Sequence, residues 1–330
     1  FVVIFCALAL YAWRAPSLDS QAGFQPTARE TFLLLNNVLL VVAATLILIG
    51  TLYPLIIEHL GMGKVSVGPE VFELVFIIPM LPLTFLIGVG MHTTWRTGNL
   101  DQVWKQYRWI GAVTLLVAIA GPWLFYGKFM PMTVIGVSAG LWVILASVAT
   151  PVRAAFGKAT MTRAQTGMLL SHLGGGLFSV GAVVVSSFGL ETDRAIRSGQ
   201  SITVAGYDIT MDRIEDGTGP NYVARRGTFT VRQGEESISV RYPEKRNYTT
   251  QVSEMTEAGI DATPARDLFI AMGDDLGDGS WSVRVQYKPM IRLIWLGALV
   301  MAFGGLLAIT DVRYRARVRK RKPAAKAVEA

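Results

Sequence analysis

Cysteine is nearly absent from this sequence. Cys6 stands alone among 330 residues, so there is no disulfide framework, no CxxC pair and no CxxCH attachment site. That excludes a thiol oxidoreductase and a self-contained c-type cytochrome. Charge is also scarce, at 17% of residues against 52% that are hydrophobic. Between 33 and 150 no Asp or Glu lies deeper in an apolar run than Glu70 and Glu73, at the mouth of one. The row of intramembrane carboxylates that a proton relay needs is therefore missing. Histidine occurs three times, as His59, His92 and His172, and an ion chelated at His172 would find no second imidazole or carboxylate at its depth.

What the chain has in quantity is apolar sequence, gathered into runs near 20 residues at a mean hydropathy of +0.41. A run of that length crosses a hydrocarbon core of roughly 30 Å as a helix rising 1.5 Å per residue. Spans are expected at about 33–57, 71–92, 109–126, 131–150, 167–189 and 290–310, with an incomplete one at 1–13. FVVIFCALALYAW has no basic leader or small-residue cleavage site, and it reads as the tail of a severed span in the C-terminal part of something longer.

Basic residues collect in alternate loops: Arg14 and Arg29, then Arg96, Lys105 and Arg108, then Arg153, Lys158 and Arg163. An excess of Lys and Arg marks cytoplasmic loops, so these face inward, and the tail RYRARVRKRK falls on the same side. That tail accounts for most of the net charge of +7. It reads as a topology anchor against anionic lipid headgroups, with no nucleic-acid partner implied.

From 190 to 289 the apolar runs stop. SITVAGYDITM, GTFTVRQGEESISVRY and SWSVRVQY alternate in character at period two, and Asp216-Gly217, Gly234 and Asp278-Gly279 divide them as turns. The expected architecture is a polytopic α-helical membrane protein with a small periplasmic β domain inserted before the last transmembrane helix. It comprises helices over 1–189, the β domain over 190–289, a final span over 290–311 and a basic cytoplasmic tail over 312–330, in a bacterial inner membrane.

His59 and His92 sit at span ends, where water and headgroups solvate an imidazole. His172, in MLLSHLGGGLFSVG, lies eight residues or roughly 12 Å inside the boundary near Ala164, close to the midplane. An unmet polar group in hydrocarbon costs several kcal/mol, so something must satisfy it. Two readings stay open: a hydrogen bond across helices, or one axial bond to a haem iron whose macrocycle favours hydrocarbon side chains. Gly174, Gly175 and Gly176 suit a flat porphyrin lying against backbone that bears no Cβ, and they equally suit close helix packing.

The runs LLLNNVLLV, GTLYPL, GKVSVGP, GMLLSHLGGGLFSVG, YPEKRNYTTQVSEMTEAGI, DLFIAMGD and KPMIRLIWLGALVMAFGG resemble, in the same order, the CcmF/NrfE haem lyase family of bacterial cytochrome c biogenesis. The resemblance implies that this chain is the C-terminal half and that His172 is one of two axial ligands of a transmembrane haem b, the second lying in the N-terminal half. It implies transfer of haem from a periplasmic haem chaperone to the CxxCH thiols of apocytochrome c, with presenting and thioreduction subunits as partners, and quinol as an optional electron donor. The family's Trp-rich motif and its periplasmic histidines have no counterpart, since Trp95, Trp104 and Trp109 are widely spaced on the cytoplasmic side.

His59, on the β-domain side, is the alternative ligand candidate. Trp281 and Trp295 bracket the last return into the membrane, as an interfacial belt or as contacts to haem or a partner. Arg246 and Tyr248 read as solvated β-domain surface or as groups that meet propionates or an acidic partner. Asn36 and Asn37 read as interhelical packing or a site. The competing function is a transporter subunit or scaffold whose β domain docks partners without haem.

Overall fold

The structure is a computed structural model that describes residues 2–15, 25–157, 160–249 and 254–312. The basic tail RYRARVRKRK, expected to be cytoplasmic, lies outside the described residues. The chain divides into two compact units, Phe1–Trp109 and Ile110–Ala330. Among the described residues six helices are long and apolar enough to cross a membrane.

In the first unit, α1 (Val2–Arg14) has 13 residues, short of a span. α2 (Arg29–His59) and α3 (Pro69–Gly90) run antiparallel, since Gly50 meets Phe72 while Gly90 meets Phe32. Gly68 and Pro69 take the cap and first-turn positions of α3, where a missing N–H costs nothing. α4 (Leu100–Tyr126) begins in this unit and continues into the second. The chain ahead of α2 is fastened to the loop before α4. Thr27 Oγ1 donates to Gly98 O at 2.7 Å, Arg29 N to Thr94 O at 2.9 Å, and Arg96 N to both carboxylate oxygens of Glu30 at 3.0 Å.

The second unit holds the rest of α4, then α5 (Pro131–Ala155), α6 (Arg163–Phe188), ten strands and α7 (Arg292–Ile309). α6 is the middle helix, antiparallel to α5 on one side and to α7 on the other. Its N-terminus carries a capping box: Gln165 N donates to Thr162 Oγ1, and Thr162 N to Gln165 Oε1. Just beyond α7, Asp311 accepts from Ala164 N at 2.8 Å, adding a carboxylate where the helix dipole favours one. At the other end Phe188 stacks on Tyr126 with centroids 4.1 Å apart, and Thr133 Oγ1 donates to Ser187 Oγ at 2.7 Å. α6 is thus held at both ends.

Gly189 leads α6 directly into β1 (Leu190–Ile196), and β10 (Trp281–Pro289) returns to α7. β1 and β10 are register partners, from Leu190 opposite Tyr287 to Ile196 opposite Trp281. One sheet has the order β1-β10-β9-β8, with β8 Gly259–Ala262 and β9 Arg266–Asp275. The other runs β2-β3-β4-β6-β7, with β2 Ser201–Val204, β3 Tyr207–Thr218, β4 Tyr222–Gln233, β6 Glu244–Tyr248 and β7 Glu254–Glu257; β5, Glu236–Arg241, also pairs with β4. Strict alternation explains the core between them. Leu268, Ile270 and Met272 of β9 and Val283 and Val285 of β10 face Ile202, Ile209, Met211, Phe229 and Val231.

The turns expected at Gly234 and Asp278-Gly279 are present, with both glycines at positive φ. Asp216-Gly217 is not a turn. A bulge between Met211 and Arg213 lets β3 continue, so that Gly217 pairs with Ala224 and the chain reverses only after Thr218.

Trp281 corrects a second expectation. It is 7% exposed in the sandwich core, and eight residues of extended strand place it about 27 Å from Pro289, far from any membrane belt. Trp295 is 69% exposed on the first turn of α7, where a belt residue belongs.

Candidate functional site: the His172 face of α6

Two close seams flank a half-buried part of α6. Gly167, Gly174 and Gly181 recur every seven residues and face α7, whose Gly297 and Gly304 share the spacing. A methyl at Gly174 would lie 2.5 Å from Gly297 O, and one at Gly304 2.5 Å from Ser171 N, so the backbones touch as only glycine permits. Ser171 Oγ donates across this seam to Met301 O at 3.2 Å. On the other side Gly176 abuts Gly140 and Ile144 of α5, at 2.8 and 2.7 Å from where a methyl would stand.

Of the three glycines assigned to a macrocycle, Gly174 and Gly176 are therefore spent on helix packing. Gly175 is different, because the nearest atom to an added methyl would be Met301 Sδ at 3.8 Å, an ordinary contact.

Helical spacing of four, three and four puts Met168, His172, Gly175 and Ser179 on one stripe between the seams, and all four are half-buried. Ser179 Oγ is used within the helix, donating to Gly175 O at 2.8 Å. The stripe offers one imidazole, one thioether and one patch of bare backbone on a helix braced from both sides. Among the described residues no cluster of three or more His, Cys, Asp or Glu could hold a metal ion. His172 suits a metal centre that needs a single nitrogen here and draws its other ligands elsewhere. Haem iron fits that donor set: one axial imidazole, an apolar face, and a glycine where a flat ring comes near.

His59 ends α2 of the first unit and is exposed. His92 stacks on the buried Tyr107 with ring centroids 4.2 Å apart, and Tyr107 OH lies 3.0 Å from its Nδ1. Sequence reading missed that pairing, because His92 lies in the turn after α3 and Tyr107 is fifteen residues on, within α4.

Arg246 is not a free surface cation. It donates to Glu244 Oε2 at 2.8 Å, lies 3.4 Å from Glu257 and sits 4.5 Å above the Tyr222 ring. Burial opposes the charge on Glu244, but hydrogen bonds from Arg246 and Arg226 outweigh it and hold that carboxyl below its ordinary pKa. Strand alternation in EKR, with 244 and 246 on one face, was the legible sign of this pairing. A second buried network joins Asp261 to Arg266 and Arg241, both at 2.5 Å, with Arg266 over Tyr207. Glu244, Asp261 and Arg266 are buried, while Arg226 and Glu257 remain partly exposed.

Comparison with known proteins agrees with this architecture. Residues 187–289 match the model of the CcmF C-terminal β-sandwich. The chain is 40% identical to cytochrome c-type biogenesis protein CcmF of Pseudomonas fluorescens over 97% of its own length and 50% of that protein's. It is 38% identical to CcmF of Escherichia coli over 99% of its length and 50% of that protein's.

The chain belongs to the CcmF family. It corresponds to the C-terminal half and spans about half the length of the curated relatives it matches. Similarity extends to cytochrome c-type biogenesis protein NrfE of Haemophilus influenzae, at 29% identity over 95% of this chain and 49% of that one. A solved structure titled Cytochrome c Heme Lyase CcmF superposes with a TM-score of 0.72 at 17% identity, covering 87% of this chain and 46% of that one. At that identity it supports the fold alone, a multi-pass helical membrane protein with a β-sandwich. Family membership supports a role in cytochrome c biogenesis.

Proposed function

We propose that this chain is the C-terminal half of a haem lyase of the cytochrome c maturation system, and that His172 is an axial ligand of a transmembrane haem b. The observation that carries the reading is the half-buried stripe of α6, where the single deeply placed imidazole stands one turn from a glycine with no neighbouring atom nearer to an added methyl than Met301 Sδ at 3.8 Å. When bound, the haem supplies one-electron chemistry, with quinol as a candidate donor. The chain's own contribution is positional. The capping box, Asp311 and the Phe188 cluster fix α6 along its axis, and the two glycine seams fix its rotation, so the imidazole is presented in one orientation.

The β-sandwich is assigned to the periplasm and the C-terminus to the cytoplasm of a bacterial inner membrane, as the basic loops suggest. The sandwich stands where a periplasmic haem chaperone and apocytochrome c, with its presenting and thioreduction subunits, would meet the membrane part. Attachment adds each CxxCH thiol S–H across a vinyl group of the delivered ferrous haem, a balanced addition that forms the thioether without an external oxidant. The second axial histidine belongs to the N-terminal half or to a separate chain that supplies it.

The test is the visible spectrum of the protein purified with its N-terminal portion. A b-type spectrum lost in His172→Ala and retained in His59→Ala, at unchanged helix content, is the expected result. A colourless wild type, or bands that survive His172→Ala, would overturn the assignment and favour a scaffold whose sandwich docks partners without haem.

A further inference from the structure

At the end of the sandwich remote from α7, the two sheets part around a cleft of about 570 Å³. β3, β4, β6 and β7 line it from one sheet, and the ends of β9 and β10 from the other. Trp281 belongs to this lining although it is only 7% exposed, and among the described residues its indole N–H donates to nothing. A buried indole N–H normally finds an acceptor, and the open space beside this one is the cleft.

The charges around the cleft do not balance. Arg225 is paired with Asp216 at 2.8 Å and lies 5.9 Å from the centroid of the Trp281 ring. Lys245, with a side chain 15% exposed, is shared between Glu254 at 3.2 Å and Asp274. Asp275 meets no cation among the described residues, and its Oδ1 accepts from Gly277 N at 2.9 Å in the hairpin turn. In each ion pair the carboxylate is the more exposed partner, so the mouth of the cleft is negative. The whole segment 190–289 leans the same way, with 16 Asp and Glu against 12 Lys and Arg in a chain whose net charge is +7. A field of that sign draws cationic partners and repels anionic ones.

We propose that this cleft binds a basic segment of a partner protein, with a lysine or arginine head at Asp275 and a backbone carbonyl accepting from Trp281 Nε1. A peptide supplies both groups at once, the cation that Asp275 lacks and the acceptor that the indole lacks. The cleft lies wholly within the sandwich, and its chemistry is independent of His172 and of haem.

The test uses the full chain in an uncharged detergent and a dye-labelled, acetylated and amidated hexapeptide of alternating lysine and glycine, followed by fluorescence anisotropy. The matching glutamate–glycine hexapeptide is the comparison. The lysine peptide should bind and the glutamate peptide should not. Asp275→Asn keeps the turn acceptor and both ion pairs, and it should weaken binding about threefold, the weight of one exposed ion pair. Trp281→Phe should weaken it about fivefold, the weight of one hydrogen bond, while the segment 190–289 stays resistant to protease. Glu235→Gln removes the same charge in the β4–β5 turn, outside the cleft, and should change nothing. Failure of the lysine peptide to bind, equal affinity for both peptides, or a loss in Glu235→Gln as large as in Asp275→Asn would overturn the proposal. Affinity indifferent to Trp281→Phe would overturn the hydrogen bond.

Discussion

Replacing Gly174 with alanine adds one methyl where α6 and α7 are closest. That methyl would stand 2.5 Å from Gly297 O, 2.6 Å from Met301 N and 2.8 Å from Met301 Cγ, and two of those atoms are backbone that no side-chain rotation moves. Restoring ordinary contact requires the helices to part by about 0.9 Å, and a gap of that size forfeits a quarter to a half of each neighbouring dispersion contact. Overpacking of this kind costs about 1–3 kcal/mol, and the better helix propensity of alanine returns at most about 1 kcal/mol. A net loss of about 1–2 kcal/mol, a factor of roughly 5–30 in the unfolding equilibrium, is expected. Gly175→Ala is the control, because its methyl meets only Met301 Sδ at 3.8 Å. The midpoint of dodecyl-sulfate unfolding in mixed micelles, followed by tryptophan fluorescence, should fall for Gly174→Ala and hold or rise for Gly175→Ala. If the two variants unfold alike, the seam is not closed by glycine and the account of how His172 is oriented fails.

Two further outcomes follow from the sandwich. Trp281→Ala should cost about 3–5 kcal/mol by emptying the core, seen as rapid proteolysis of the segment 190–289 while the spans stay protected. Burial opposes the charge on Asp261, yet hydrogen bonds from Arg266 and Arg241 hold its pKa below the ordinary value. Its contribution is therefore complete above the unfolded pKa of about 3.9 and fades as pH falls below it toward the depressed folded value. Asp261→Asn should remove that acid sensitivity and, by stranding a buried guanidinium, cost about 3–5 kcal/mol at neutral pH; melting curves between pH 3 and 7 measure both.

The spans and the β insert were legible because hydropathy and period two are strong local signals. All six full spans appear within a few residues of the expected bounds, and the extra turns of α2, α4 and α5 are polar or charged ends that a hydropathy window trims. Single residues with two physical meanings were harder. Gly174 and Gly176 look alike as room for a ring and as helix seams, although the matching heptads 167–174–181 and 297–304 pointed to packing. Trp281 was misplaced because tryptophan near a span suggests an interface, whereas the alternation Trp281, Val283, Val285 had already assigned it to the buried side of β10. His172 was singled out by depth alone. Its neighbours on the stripe follow only once the two packed sides of α6 are known.

The glycine-closed pair α6 and α7 leads into the paired strands β1 and β10, directly at Gly189 and on the return through Met290 and Ile291. Both covalent strings therefore leave the bilayer one ladder rung apart, about 5 Å, and Met290 N to Ala265 O and Arg292 to Asp267 brace the return. A module tethered by two such parallel rails cannot nod or swivel like a flap on a single cord.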